Sequence, residues 1–229
     1  MKAPREEILR YLGSMGHEPD ERLCTRIDDA VSAVTAAASP RSVFRRFGFD
    51  GSLIGTGYSP AGKDVLGQLD GCSAVYLFAA TLGNGVERIE EQAFARGDSL
   101  GAVLLDAAAS CLIESFCDDE CERIARSEDV TLTSRFSCGY GDYPLEHQAD
   151  IIRLLDAPRR IGLHVSESGM LMPRKSVTAL IGVLGNGYSP ADAAAHTADK
   201  CRRCAALNCP YRKAAANYDN GGQNSRSPA

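Results

Sequence analysis

Residues 99 to 126 carry the longest helical pattern in the chain, and no other feature limits the fold as much. Leu100, Leu104, Ala107, Cys111, Glu114 and Asp118 follow alternating steps of four and three, which sets all six along one stripe of a helix. Glu114 therefore continues an apolar face. A carboxylate drawn out of water needs a cation or hydrogen-bond donors, because an unpaired buried charge is costly. Either the stripe has emerged into solvent by Glu114, or Glu114 has a partner elsewhere in the chain.

Around this helix the pattern predicts helices over 4 to 13 and 19 to 38, the second with Leu23, Ile27, Ala30, Val31 and Val34 on one face. The apolar run "SAVYLFAATL" (73 to 82) reads as a buried strand, and "GNGVERIEEQAFARG" as a short helix between glycines. Further on come a strand-like "VTLTS" (130 to 134), a helix over 146 to 156, and strands near 161 to 166 and 175 to 184. Helices interleave with strands without regular β-α-β spacing, which makes the fold class α+β. "GYSPA" occurs at 57 to 61 and again at 187 to 191, each time with Ser-Pro where a helix could start.

Composition narrows the function. With 44% hydrophobic and 24% charged residues the chain is globular, and 25 basic against 30 acidic side chains, a net charge of -5, give no reason to expect nucleic acid. No apolar leader begins the chain and no stretch approaches eighteen continuous apolar residues, so the expectation is a cytoplasmic protein with no membrane segment. "GNGVE" lacks the third glycine of a dinucleotide fingerprint, and the four histidines show neither paired metal spacing nor a catalytic triad.

Three segments could carry chemistry. "SRFSCGYGDYPLEHQ" (134 to 148) packs an arginine, three aromatic rings, a thiol and two glycines between a strand and a helix. Arg135 offers a planar fork for a carboxylate, of the protein or of an amino-acid ligand, and could pair with Glu114. Gly139 and Gly141 permit positive φ or close approach on either side of Tyr140, either as a plain turn or as a cradle for a planar ligand. "SESGMLMP" (166 to 173) sets Glu167 between serines after a strand, where it could line a pocket or merely open a turn. "CRRCAALNCPYRK" holds Cys201, Cys204 and Cys209 in C-x2-C-x4-C spacing, which suits a soft metal such as zinc, an iron-sulfur cluster, a redox thiol set or no special role. Three thiols are one short of a closed zinc site, and His196 is one candidate for the fourth ligand.

"RFSCGY" followed by "PLEHQADIIRLLDAPRRIGLHVSESGMLMPRKSVTALIG" resembles the activation domain of cobalamin-dependent methionine synthase. That family's motifs R-x-x-x-G-Y, L-L-x-A, I-G-x-x-x-T-E-S and M-x-x-P-x-x-S-V recur here in order, and "LLDAAASCLIES" is similar to its D-x-x-x-x-x-x-A-E helix, with Glu114 at the glutamate. The likeness spans roughly residues 100 to 184. Where the family has P-A-C-P-D after Gly-Tyr, this chain has Gly141, Asp142, Tyr143, Pro144 and Leu145.

The resemblance implies a twisted, mainly antiparallel sheet with packed helices, and an S-adenosylmethionine site built from Glu114, Arg135, Ser137, Gly139, Tyr140 and Glu167. It also implies cobalamin supplied by a partner, a cobalamin-dependent methionine synthase or other corrinoid protein, together with an electron donor protein. The expected organisation is an N-terminal helical segment over 1–40, an activation-domain-like body over 41–199, a Cys-rich metal or cluster segment over 200–213 and a disordered tail over 214–229. The alternative reading is a metal-binding regulatory or scaffold protein that docks to a corrinoid protein without using S-adenosylmethionine.

Overall fold

The computed structural model describes residues 1–13 and 19–185. Strands β1 (Arg41–Gly48), β2 (Cys72–Thr81), β3 (Thr131–Leu132) and β6 (Ser176–Leu184) form one antiparallel sheet in the order β1-β2-β6-β3. Two short strands, β4 (His164–Val165) and β5 (Leu171–Met172), make a separate antiparallel pair. The expected α+β class with a mainly antiparallel sheet is what the chain adopts.

β2 explains why its sequence is apolar without alternation. Tyr76, Phe78 and Ala80 enter the core on one face of the sheet, while Val75, Leu77 and Ala79 enter a second core on the other. A strand covered on both faces has no polar side to show. The first face is covered by α1 (Arg5–Tyr11), α2 (Glu21–Ala37), α4 (Asn84–Ala95) and α5 (Ser99–Glu128). The second is covered by α3 (Lys63–Gln68), α6 (His147–Leu155) and α7 (Ala157–Ile161).

Aspartates start the two longest helices. The Asp20 carboxylate accepts from the Leu23 N–H at 2.7 Å, and Asp98 accepts from Gly101 N–H at 2.9 Å, each satisfying a donor that the first turn leaves unpaired. α5 ends where Asp129 turns left-handed at φ 51. Of its stripe, Leu104, Ala107 and Cys111 are buried, whereas Leu100 is 47% exposed. Among the described residues α5 is long and apolar enough to cross a membrane by length and composition, yet half of its apolar window is buried inside the protein.

One strand is additional and three local expectations need correction. Arg41–Gly48, unassigned from sequence, is an edge strand in which only Val43 and Phe47 are fully buried, so its three arginines mask the alternation. The strand expected over 161 to 166 shrinks to His164–Val165, because the chain turns left-handed at Asp156 and resumes as α7 until Gly162 at φ 70. The strand expected over 130 to 134 keeps only Thr131–Leu132, since the Thr133 hydroxyl accepts from Gly182 N–H at 2.8 Å in place of a backbone carbonyl. Ser59-Pro60 starts no helix: α3 begins at Lys63 with Gly62 before it. The second "GYSPA" lies outside the described residues.

Candidate functional site

After β3 the chain continues beside β6, with Thr133 N–H donating to Gly182 O at 2.9 Å and Phe136 bridging to Leu180. Successive side chains of an extended segment point to opposite faces. Phe136 therefore enters the core under α6, and Arg135 turns to α5. There its Nη2 donates to Glu114 Oε2 and its Nη1 to Asp118 Oδ1, both at 2.7 Å, and Nη1 also approaches Cys121 Sγ at 3.7 Å. The arginine side chain is only 16% exposed, against 50% for Glu114 and 61% for Asp118. Glu114 thus leaves the apolar stripe with its charge paired.

Burial alone would lower the pKa of Arg135, and the groups around it more than reverse this, so the guanidinium is held firmly charged. Burial pushes the neighbouring Cys117 and Cys121 thiols up, which keeps them protonated near neutral pH. The two carboxylates therefore supply the pull. One cation and two anions leave this cluster at a formal charge of about -1.

The loop beyond Phe136 is a compact turn with Tyr140 at its tip. Gly139 N–H donates to Tyr143 O at 2.9 Å, and Tyr143 N–H donates to Tyr140 O at 3.1 Å. Gly139 at φ 82 and Gly141 at φ 56 take backbone conformations that side chains disfavour, which is why glycines bracket the tyrosine. Tyr140 is 61% exposed. Behind it the buried Tyr143 and Tyr58 hydroxyls share a short hydrogen bond, and the His147 ring packs on both, 5.1 Å from Tyr143 and 5.4 Å from Tyr58. Burial raises both phenols, so they stay neutral.

Glu167 lies on an exposed turn closed by Ser166 N–H to Met170 O and Gly169 N–H to Ser166 O, each 2.9 Å. Gln148 on α6 fixes this turn, donating to Gly169 O at 2.5 Å while it accepts from Thr178 at 3.0 Å. Leu145 joins the turn to the tyrosine loop: a methyl group added at Gly139 would meet Leu145 at 3.5 Å, and one at Gly169 at 3.1 Å.

The expected site residues fall into two groups linked through Phe136. Glu114 and Arg135 form one, and Ser137, Gly139 and Tyr140 form the other, with the Glu167 turn beside it. Cys201, Cys204, Cys209 and His196 lie outside the described residues. Among the described residues no group of three His, Cys, Asp or Glu side chains is placed to hold a metal ion. Sequence reading left Asp118 out of the site although its spacing from Glu114 was visible, and it missed Asp142, Leu145 and Gln148, whose partners are far away in the chain.

The fold is that of a reactivation domain: the chain is similar to the solved MetH reactivation domain bound to AdoHcy, with a TM-score of 0.56 at 15% identity, covering 82% of this chain and 72% of that one. The family described as vitamin B12 dependent methionine synthase, activation domain, matches residues 68–186, more than half of the sequence, and the chain belongs to that family. Comparison with curated proteins finds no match.

Proposed function

We propose that this chain is a reactivation partner of a cobalamin-dependent methyltransferase, methionine synthase, and that it binds S-adenosylmethionine for reductive methylation of a Co(II) corrinoid. One observation carries the reading. Arg135, which opens the R-x-x-x-G-Y pattern, meets Glu114 at 2.7 Å from 21 residues away, so two positions that the resemblance assigns to one ligand are neighbours in space. The similar MetH reactivation domain was solved with AdoHcy, the thioether left when S-adenosylmethionine gives up its methyl group.

The charges fit such a ligand. S-adenosylmethionine carries a carboxylate, an ammonium and a sulfonium; Arg135 suits the first, and the surplus anion of Glu114 and Asp118 suits a cation. Tyr140 would line the adenosine or the sulfonium, with Ser137, Gly139 and Glu167 around it. The donor supplies a methyl cation equivalent while its sulfur keeps the bonding pair, and one electron from a separate donor protein completes the balance at the corrinoid. The chain's own contribution is orientation, since the reacting atoms belong to the two bound groups.

Cys201, Cys204 and Cys209 are proposed ligands of an iron-sulfur cluster or zinc, on their spacing alone. Elemental analysis of anaerobically purified protein and of Cys204→Ser tests this, and metal-free wild-type protein removes it.

The scaffold reading draws on the same contact, because protein carboxylates already satisfy Arg135. Calorimetry decides between them. Saturable heat on titrating S-adenosylmethionine into the protein supports the reactivation role, and absence of binding leaves the docking role.

A further inference from the structure

We propose that Asp142 is the positioning residue of the Tyr140 loop, a clamp that fixes the loop on the first turn of α3 so that Tyr140 is presented to the ligand. This rests on the S-adenosylmethionine reading above. The Asp142 carboxylate accepts from Lys63 N–H at 2.6 Å through one oxygen and from Asp64 N–H at 3.0 Å through the other, 79 and 78 residues away in sequence. Both donors belong to the start of a helix that has no side-chain cap of its own, because Gly62 stands before it. The loop therefore supplies what the helix lacks.

Close approach supports the clamp from both sides. Gly62 takes φ 125, and a methyl group there would lie 2.8 Å from the Asp142 carbonyl oxygen. On the opposite side a methyl group at Gly141 would collide with the Asp64 carboxylate. Two glycines, one on each partner, thus let the loop backbone rest on 62–64. The Tyr143 hydroxyl, bonded to Tyr58, holds the next residue, so the loop is tied at consecutive positions close to the exposed Tyr140. The two backbone N–H bonds also hold the Asp142 carboxyl below its ordinary range, which keeps the clamp ionised at neutral pH.

The test compares wild type, Asp142→Ala and Asp142→Asn by S-adenosylmethionine calorimetry and by amide hydrogen exchange at Lys63 and Asp64. Alanine removes both acceptors; asparagine keeps one oxygen. We expect exchange at those two amides to accelerate in the order wild type, asparagine, alanine, with affinity falling ~10-fold in the alanine variant and less in the asparagine variant. Both variants should still fold and melt cooperatively, losing no more than a helix cap contributes, because Asp142 is exposed and lies in neither core. Graded recovery of affinity and exchange with asparagine, in protein that remains folded, separates positioning from a general structural role. Wild type that binds while Asp142→Ala binds equally well overturns the proposal alone, as does unchanged exchange at Lys63 and Asp64. Wild type that binds no S-adenosylmethionine overturns the functional reading beneath it.

Discussion

Arg135 donates to Glu114 at 2.7 Å, tying the residue that opens the tyrosine loop to the middle of α5. The contact answers the sequence's puzzle of a carboxylate on an apolar stripe: Glu114 is at the rim, half exposed, with its charge met by the more deeply buried arginine. It also makes Arg135 the residue whose loss should be felt most. Arg135→Ala should weaken S-adenosylmethionine binding by about 1.5 to 3 kcal/mol, as for a hydrogen bond to a charged group. Arg135→Lys should recover only part, since lysine cannot reach two carboxylates and a ligand with a planar fork. Equal affinity in all three proteins, measured calorimetrically, would remove Arg135 from the site.

Glu90 on α4 makes a prediction about pH. It is 6% exposed, takes one hydrogen bond from Arg174 at 3.0 Å, and its Oε1 has no hydrogen-bond partner among the described residues. Burial raises its pKa, helped by Asp106 and Glu87 and opposed by Lys175 and Arg174. As pH rises above the ordinary glutamate value of 4.5, the unfolded chain releases this proton before the folded one does, so stability falls through that window. Glu90→Gln has no proton to release. Thermal unfolding should show the variant gaining on wild type as pH rises above about 4.5, with the gap closing at the acid end. A gap that widens toward acid would contradict the assignment.

Thiol chemistry should separate the described cysteines. Burial pushes Cys72, Cys111 and Cys138 up to about 11 and Cys117 higher still. At pH 8 only about one in a thousand of the first three is thiolate, the reactive form. Among the described cysteines, partly exposed Cys24 should therefore label before the four buried thiols, which react only in denaturant. Peptide mapping after timed alkylation reads this directly, and early labelling of Cys117 would mean that α5 does not pack on the sheet as described.

The core helices were legible because they obey local rules. Leu104, Ala107 and Cys111 repeat at helical spacing, and the run from Ala74 to Leu82 is too apolar for anything but the interior. β1 was not legible, since an edge strand needs few buried side chains and Arg41, Arg45 and Arg46 hide the two it has. Ser59-Pro60 misled for the opposite reason: it has the chemistry of a helix start, but the helix takes its cap from Asp142 across the fold. Such a long-range cap leaves only a negative trace, the bare Gly62 before Lys63. In the site, the Glu114 and Arg135 pairing could be inferred from an unpaired charge and a nearby cation. The coupling of two loops by Leu145 could not, because a leucine signals burial and not what it touches.

The most direct measurement is reductive methylation itself. A cobalamin-dependent methionine synthase held in the Co(II) state is mixed with S-adenosylmethionine and a one-electron reductant, and methylcobalamin is followed by absorbance with and without this protein. Methylcobalamin formation should rise with added protein, drop with Arg135→Ala and be absent when S-adenosylmethionine is omitted. Methylcobalamin that forms equally fast without the protein, or fails to form with it while S-adenosylmethionine is bound, would contradict the reactivation role.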